Sequence, residues 1–350
     1  MTVAVAFADR ADKDDWNGFV AGRPDASFFH RFEWQEILSG CFPYRNRALI
    51  AHENGHVVGV LPLMSMHGPF TGKALISNPL CAEAGPLAAT DDGARALVGR
   101  AASLSRDEGA RYLELRGGID GEPELDAGDG RVWIASGQFS FFGRDLPEDP
   151  DEVMNAIPSR QRYLVRRAFG HGLRAEANGD LDGFYELFCR TVRGHGTPPY
   201  PKRYFQAMIE AFPDSIEILS VRGPQGPVCA AFCLVTEKDV TPYYVGAIPD
   251  VRRNGGFQFM YHEMMRRAVE RGIPRAELGR SINGSGSFAF KKNFGFTARL
   301  ANYRFLVRGE QDLPTLDPEN PKLKPLLAVW RKLPLPLTVL VGNRLAWMAP

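Results

Sequence analysis

The sequence lacks any run of about 18–20 apolar residues, which is the length that a membrane-spanning helix needs. It also opens without a basic stretch or a long apolar stretch (MTVAVAFADRADKDDW), so a secretory leader is not expected. Neither charge dominates: 42 Lys and Arg face 41 Asp and Glu, and a net charge of +1 creates no overall attraction to nucleic acid or membrane. We therefore expect a cytoplasmic protein in which any polyanion site is built by a local cluster.

Cysteine is scarce, and its five positions are scattered and odd in number. That pattern indicates neither a disulfide framework nor a zinc site. Cys229 and Cys233 lie close together, but both belong to an apolar run typical of a strand, so we expect core thiols. His30 lies among aromatic residues and is expected to be a core histidine. The spacing of histidines and carboxylates indicates no metal site.

One pattern occurs twice along the chain. Residues 49–64 (LIAHENGHVVGVLPLM) and 218–235 (ILSVRGPQGPVCAAFCLV) each contain two β-rich runs joined by a short turn with glycine, which predicts a hairpin. A further strand is predicted after each hairpin, at 73–79 and at 240–248. The two halves of the chain therefore start with the same order of elements.

The pattern continues with a helix and a strand in each half, at 96–118 and at 260–281. The helices are predicted to end near Gly109 and Gly272, since glycine often follows the last turn. Each following strand contains a Glu-Leu pair. A helix that links two neighbouring strands of one sheet makes them parallel. Each half thus predicts a mostly antiparallel sheet with one parallel crossover.

This arrangement resembles the GNAT fold, the acyl-CoA N-acyltransferase fold, present twice. The acidic, proline-bearing segment 143–152 marks the boundary. We predict an α/β chain of two tandem GNAT-like domains, at 1–145 and 146–310, each with a mixed, mostly antiparallel sheet flanked by helices. A separate apolar and basic tail follows at 311–350. The alternative is two unrelated α/β halves.

Several segments resemble the FemAB family, whose members transfer an amino acid from aminoacyl-tRNA to an amine of a peptidoglycan precursor. They are FFHRFEWQEIL (28–38), RQRYLVRRAFGHGLRAE (160–176), residues 180–208, and SGSFAFKKNFGF (285–296). The run HGTPPYPKRYF, the GRS…GSGSFAFKKNFGF block and the tail most resemble FemAB-related proteins of exosortase/PEP-CTERM systems. Those proteins occur beside exopolysaccharide biosynthesis genes in Gram-negative bacteria.

The resemblance implies an acyl- or aminoacyltransferase that acts on an amine of a cell-envelope or exopolysaccharide precursor. The acceptor would be a small molecule or a lipid-linked amine. It implies no permanently bound cofactor, and its donor would be aminoacyl-tRNA or acyl-CoA. Two other functions stay open: an ordinary acyl-CoA-dependent acetyltransferase, and a scaffold that kept the double fold and lost the chemistry. We expect a monomer.

Lys291 is the first candidate for catalysis. Many GNAT enzymes carry Tyr-x-x-x-Gly-Phe at the corresponding place, and counting back from Gly295 puts Lys291 where that tyrosine protonates the leaving thiolate. FemAB enzymes also carry a lysine there, and a lysine can stabilise an oxyanion or protonate a leaving oxygen. Lys292 would point elsewhere, to solvent or phosphate. The nearby phenylalanines would pack against the sheet: Phe288, Phe290, Phe294 and Phe296. The alternative is a hairpin with solvated lysines.

A degenerate phosphate-binding turn follows the predicted strand at 240–248. GNAT enzymes hold the CoA pyrophosphate with [QR]-x-x-G-x-[GA] at a helix N-terminus. Here Arg252, Gly255 and Gly256 fit part of that pattern, but Phe257 replaces the small residue. The equivalent helix of the first half opens ATDDGARAL, whose aspartates would repel phosphate. We therefore expect no CoA site in the first domain and a degenerate one in the second.

The substrate cleft is expected where the strand at 240–248 separates from its neighbour. Tyr243 and Tyr244 point to opposite faces of a strand, so one of them can line the cleft, and we assign Tyr244 to the carbonyl chemistry. Arg193 and Tyr204 lie in the stretch that matches substrate contacts of the family. His195 is the best-placed general base. Its alternative is a loop histidine without a role.

Two basic segments complete the prediction. Arg162 and Arg166 are four residues apart on a predicted helix, and such a stripe can hold the phosphates of a nucleotide-linked or lipid-diphosphate acceptor or of tRNA. A solvated basic face is the alternative.

The stretch 322–349 mixes tryptophans and leucines with basic residues, and prolines interrupt it. It could contact the surface of the inner membrane or dock on the first domain.

Overall fold

The structure, a computed structural model, describes residues 3–68, 72–118, 129–177, 179–253, 255–314 and 324–348. Its strands are β1 (Ala4–Phe7), β2 (Arg45–Asn46), β3 (Leu49–Glu53), β4 (His56–Leu61), β5 (Met64–Gly68), β6 (Gly72–Ile76), β7 (Leu87–Ala88), β8 (Tyr112–Arg116), β9 (Val132–Ser136), β10 (Phe139–Asp145), β11 (Arg174–Glu176), β12 (Ile216–Gly223), β13 (Gly226–Val235), β14 (Val240–Ala247), β15 (Arg275–Ile282), β16 (Thr297–Leu300) and β17 (Tyr303–Val307). Its helices are α1 (Lys13–Ala21), α2 (Glu33–Cys41), α3 (Asp91–Asp107), α4 (Val153–Ala156), α5 (Ser159–Gly170), α6 (Leu181–His195), α7 (Lys202–Ala211), α8 (Gly256–Glu270), α9 (Gly286–Asn293), α10 (Lys324–Lys332) and α11 (Leu335–Leu345).

The chain forms two compact units. The first contains Met1–Gln138, Ala301–Leu316 and Trp347–Pro350, and the second contains Phe139–Leu300 and Asp317–Ala346. Each unit is therefore assembled from more than one stretch of the chain, whereas the sequence predicts one stretch for each.

The second unit is built on one sheet with the strand order β11-β12-β13-β14-β15-β10-β16. The predicted hairpin is β12–β13, which pairs antiparallel from Ile216 opposite Leu234. Strands β14 and β15 run parallel, and α8 connects them. The other neighbouring strands of this sheet are antiparallel. The predicted crossover in the second half is confirmed.

The first unit repeats this plan on two sheets, with strand orders β1-β3-β4-β7 and β2-β5-β6-β8-β17-β9. The predicted hairpin is β3–β4. Strands β6 and β8 are parallel, and their connection contains β7 and then α3. Helix α3 ends just before Gly109, and α8 just before Gly272; both glycines have a positive φ. The repeat predicted from the sequence is thus present in both units.

The strands β10 and β17 explain why the units differ from the predicted domains. Strand β10 precedes the predicted boundary at 145/146, yet it lies between β15 and β16 in the second unit. Strand β17 belongs to the predicted second domain, yet it lies between β8 and β9 in the first unit. Both pairings join strands that are far apart in sequence, so local patterns do not reveal them.

Each unit has its own apolar core. In the second, α8 packs its buried side chains on the sheet, where Cys229 and Cys233 are fully buried, as expected for core thiols. In the first, His30 is 5% exposed, its Nδ1 accepts a hydrogen bond of 3.0 Å from the amide of Ser27, and its Nε2 lies 3.0 Å from the Gly85 oxygen. The interpretation of His30 as a satisfied core histidine is confirmed.

The two tail helices α10 and α11 pack on α6 of the second unit. The end of the tail contacts the first unit, where the carbonyl oxygen of Trp347 accepts a hydrogen bond of 2.9 Å from the hydroxyl of Tyr44. A Cβ at Gly342 of α11 would lie 2.3 Å from Pro199 Cδ, and the hydroxyl of Tyr185 on α6 donates to Asn343 Oδ1 at 3.2 Å. Of the predicted membrane-contact stretch, residues 322, 323 and 349 lie outside the described residues. Among the helices that the structure describes, none is long and apolar enough to cross a membrane.

Candidate functional site

The site is built where β14 and β15 depart from regular pairing. The two strands are paired at Val240 opposite Ala276. The pairing of β14 with β13 shifts register next to Phe232. On the other side, the pairing of β15 with β10 shifts between Phe141 and Gly143, and Gly279 of β15 has a φ of 61°. A residue in this conformation turns the local backbone out of the regular ladder. This is the region where the sequence predicts the cleft.

Helix α9 places Lys291 over this irregular segment. The helix starts at Ser285, whose hydroxyl accepts a hydrogen bond from the amide of Phe288 and so caps the first turn. Lys291 is only 8% exposed. Its Nζ donates to the carbonyl oxygens of Gly279 and Arg280 at 3.2 and 3.0 Å. The bulge of β15 therefore supplies two acceptors for a buried ammonium group.

Burial changes the acidity of this lysine. Loss of solvent lowers the pKa of Lys291 to about 8, and the negative charge of Glu277 opposes that change. The Nζ also lies 5.5 Å from the centroid of the Phe142 ring, within the range of a cation–π interaction. An ammonium group has three donors, and two are used by carbonyls. Lys291 can therefore offer one further hydrogen bond or a proton near neutral pH.

The phenylalanines around the lysines anchor α9 on the core, as predicted. Phe294 and Phe296 are buried in the core of the second unit. Phe288 makes an edge contact with Phe142, and Phe290 packs against Tyr261 of α8 with ring centroids 5.7 Å apart. The segment is a helix, so the alternative of a hairpin was wrong. Lys292, next in sequence, is exposed.

Three tyrosines lie together at β14: Tyr243 and Tyr244 on the strand itself, and Tyr204 on α7. The hydroxyls of Tyr204 and Tyr244 are 3.1 Å apart, and their rings meet edge to face. Tyr204 is fully buried, whereas Tyr243 and Tyr244 are half-buried, with their rings 4.8 Å apart. Tyr244 is paired with Phe232 on the neighbouring strand β13. The structure thus brings three predicted residues together, but the prediction that Tyr243 and Tyr244 point to opposite faces was wrong, because their rings are in contact. The register shift beside Phe232 places Tyr243 where the regular alternation of β14 is interrupted.

The predicted phosphate turn lies at the start of α8; its residue 254 is outside the described part. Gly255 has a φ of 69°, and a Cβ there would lie 2.5 Å from the carbonyl oxygen of Leu164 on α5. A Cβ at Gly256 would lie 2.7 Å from Val251 Cγ2. Packing alone therefore requires both glycines. Phe257 is half-buried and turns its ring towards Phe290, with a centroid distance of 6.5 Å.

His195 is the last residue of α6, beside α10 of the tail. The residue is exposed overall, but local desolvation and then the charges of Arg252 and Arg331 lower the pKa of His195. Its backbone oxygen accepts a hydrogen bond of 3.4 Å from Arg331 Nη2. The Nη1 of Arg193 donates to the carbonyl of Leu333 at 3.2 Å. His195 is thus favoured as the neutral imidazole, and Arg193 holds the tail.

The predicted arginine pair on α5 divides into two environments. Arg162 is half-buried, and its guanidinium donates to the carbonyl oxygens of Asn155 and Ile157 at the end of α4. Arg166 is exposed, with Tyr163 63% exposed on the same helix. Arg162 therefore satisfies backbone acceptors of α4, and Arg166 presents its charge to solvent.

Three contributors to the Lys291 environment are not among the residues predicted from sequence: Glu277, Gly279 and Phe142. The Glu-Leu pair of β15 indicated a strand, but not that Glu277 would influence Lys291. Phe142 is contributed by β10, a strand that the sequence assigns to the other domain. A glycine inside a predicted strand was the one available signal for the bulge at Gly279.

Comparisons with known proteins support the same architecture. The family model of the acetyltransferase (GNAT) domain matches residues 156–292. FemX superposes with a TM-score of 0.63 at 15% identity and covers 93% of this chain and 100% of its own. The C-terminal domain of a putative lysylphosphatidylglycerol synthetase from Agrobacterium fabrum gives 0.56 at 16% identity, covering 87% of this chain and 94% of its own. No curated protein matches the chain.

A tandem GNAT protein from the clavulanic acid biosynthesis pathway is also similar, with a TM-score of 0.53 and 12% identity over 89% of this chain and 99% of its own. At sequence identities this low, the structural similarity supports the fold alone. The chain has a mixed α/β architecture with mostly antiparallel sheets and a FemAB-like, tandem GNAT fold. The predicted fold class is confirmed.

Proposed function

We propose that this chain is a cytoplasmic acyl- or aminoacyltransferase of the FemAB type. Its acceptor would be an amine of a cell-envelope or exopolysaccharide precursor in an exosortase/PEP-CTERM-associated system. The observation that carries the proposal is Lys291, a buried lysine with a pKa lowered to about 8 and two carbonyl partners in the bulge beside the separated strands. The GNAT domain match includes it. The motifs shared with the FemAB family support the acceptor class.

The reaction joins an amine nitrogen to the carbonyl carbon of an ester or thioester donor. As the C–N bond forms, negative charge develops on the carbonyl oxygen, and the amine loses a proton. The C–O bond to tRNA or the C–S bond to CoA then breaks, and the leaving atom needs a proton. Lys291 would donate its third hydrogen bond to the oxyanion or protonate the leaving atom. A pKa near 8 makes it a stronger acid than an exposed lysine.

Other predicted residues receive supporting roles in this proposal. His195 would accept the proton of the amine, because its lowered pKa favours the neutral ring. Tyr244 would orient the carbonyl, with its hydroxyl positioned by Tyr204. The exposed Arg166 and Lys292 would contact phosphate groups of the acceptor or of tRNA. Arg162 and Arg193 would support the site through their backbone contacts.

The donor is proposed to be aminoacyl-tRNA. The glycines of the α8 turn are required by packing against α5 and Val251, so they give no separate evidence of a pyrophosphate site. Acyl-CoA is the second candidate donor, because the turn precedes an α-helix and has Arg252 beside it, as in CoA-dependent enzymes. In that case Arg252, Gly255 and Gly256 would bind the pyrophosphate.

The test is transfer of label from ¹⁴C-aminoacyl-tRNA or ¹⁴C-acetyl-CoA to a cell-envelope extract that supplies the acceptor amines. Aminoacyl-tRNA is expected to label an acid-stable amide product in the presence of the wild-type protein. Labelling from acetyl-CoA alone would replace the first donor with the second, and Arg252→Glu should then abolish it. No amide product from either donor, with the protein shown to be folded, would contradict transferase activity and favour the scaffold.

A further inference from the structure

Helix α11 exposes three large aliphatic residues on one side, while Leu335, Val339 and Leu345 are half-buried. Its fully buried residues are all small or polar, namely Thr338, Gly342 and the following Ala346. Its outer side is exposed and aliphatic, with Leu337 48%, Leu340 55% and Val341 40% exposed. The positions 337, 340, 341 and 344 recur with the spacing of one helical face. A helix on a protein surface ordinarily has the opposite pattern.

Packing explains the inner side of the helix. A Cβ at Gly342 would lie 2.3 Å from Pro199 Cδ, so α11 lies against the segment after α6 with no room for a side chain there. The hydroxyl of Thr338 is satisfied by the carbonyl of Leu335 at 2.8 Å. Nothing in this contact requires the aliphatic residues on the opposite side. Their exposure therefore calls for a different explanation.

The charge of the tail indicates what covers this side. Residues 320–350 contain five Lys and Arg and no Asp or Glu. Arg344 continues the outer side one turn after Leu340, and Arg331 and Lys332 are exposed just before α11. A suitable partner would have anionic groups to pair with the cations and an apolar layer beneath them to take up the aliphatic side chains. An anionic lipid bilayer has both properties.

We propose that the outer face of α11, formed by Leu337, Leu340, Val341 and Arg344, binds the surface of an anionic phospholipid bilayer. The helix would lie in the plane of the headgroups with its leucines towards the acyl chains, since it is too short to span. A second copy of this chain is a weaker occupant. Four partly exposed side chains are far fewer than the roughly 20–30 residues that each partner contributes to a stable interface, and the exposed cations beside the face would repel the same cations of a second copy.

This membrane contact goes beyond the proposed transfer reaction and does not depend on it. It would hold the protein at the surface where a lipid-linked precursor is found. Lipid binding can be measured without donor or acceptor, so failure of the contact and failure of the transferase assignment are distinguishable. A protein that binds vesicles and transfers nothing would retain this proposal alone.

The experiment is co-sedimentation of the full chain with vesicles of equal parts phosphatidylglycerol and phosphatidylcholine, and with pure phosphatidylcholine. Binding is expected to the anionic vesicles only, and it should weaken when salt rises from about 50 to 500 mM, because the Debye length shortens. Leu337→Gln combined with Leu340→Gln should reduce partitioning at least tenfold. Arg344→Gln should reduce it about fivefold.

Leu300→Gln is the matched control, because Leu300 of β16 is 58% exposed and lies outside the tail. That variant should bind vesicles like the wild type, and the melting temperatures of all variants should agree. The proposal is overturned if the wild type stays in the supernatant with anionic vesicles, or if the leucine double variant still binds. Concentration-dependent dimerisation that the same double variant abolishes, without vesicle binding, would assign the face to a second copy instead.

Discussion

The Nζ of Lys291 donates a hydrogen bond of 3.0 Å to the carbonyl oxygen of Arg280. This bond connects α9 to the bulge of β15, where the ladder is interrupted next to the separated strands. Arg280 is paired with Phe141 of β10, and the register shift lies immediately before it, at Leu278 and Gly279. The hydrogen bond fixes the position of the Lys291 ammonium group beside the segment where we propose that an acyl group binds. Substitutions of Lys291 therefore test its role directly.

The rate of transfer should fall above about pH 8. In the proposed mechanism Lys291 acts in its protonated form, and its pKa is lowered to about 8, so deprotonation there would remove the active state. The falling limb should appear in the pH profile of kcat/KM. Lys291→Arg should remove that limb while retaining part of the rate, because an arginine stays charged throughout. A limb that persists unchanged in the arginine variant would assign it to another group.

Lys291→Met should make the protein more stable at pH 7, by about 1–3 kcal/mol. The pKa of Lys291 is about 8 in the folded protein and near 10.5 when unfolded, so burial of the charge costs stability wherever both states are protonated. Between these values the unfolded state binds more protons, so the wild type gains stability as pH rises. Urea unfolding from pH 7 to 10 should show the advantage of Lys291→Met shrinking. A pH-independent difference would contradict the lowered pKa.

Gly255→Ala should destabilise the protein more than Gly272→Ala. Both glycines have a positive φ, which costs an alanine about 1–2 kcal/mol. A Cβ at Gly272 meets nothing within 4 Å, whereas one at Gly255 would meet the Leu164 oxygen at 2.5 Å. The added overlap should raise the cost to about 3–5 kcal/mol. Denaturant midpoints check this comparison. Equal losses of unfolding free energy in the two variants would show that the Leu164 carbonyl of α5 leaves room for a side chain at position 255.

Much of the fold could be predicted from the sequence because its signals are local. The hairpins β3–β4 and β12–β13 follow from β-rich runs around short glycine turns, and the crossovers from helix and strand patterns that end near Gly109 and Gly272. The places of β10 and β17 could not be predicted in this way. Each strand pairs with partners far along the chain, and no local pattern specifies which sheet it joins.

The site was predictable in part. The position of Lys291 in the shared motif indicated a functional lysine, and the alternation of phenylalanines indicated packing. The environment that lowers its pKa depends on Phe142 and on the bulge at Gly279, which only the assembled sheet brings together. The tail shows the same limit, since composition indicated an apolar and basic segment but not which side of α11 would face the protein.

The measurement that tests the central claim most directly compares transfer by Lys291→Ala and Lys292→Ala. The two lysines are neighbours on α9, but Lys291 is buried at the bulge and Lys292 is exposed. With the donor that labels an amine product, Lys291→Ala should lower kcat about 10²–10⁴-fold at an unchanged or higher melting temperature. Lys292→Ala should retain kcat within about threefold, since any contact it makes with phosphate favours binding over chemistry. Unchanged turnover in a folded Lys291→Ala protein would contradict the account.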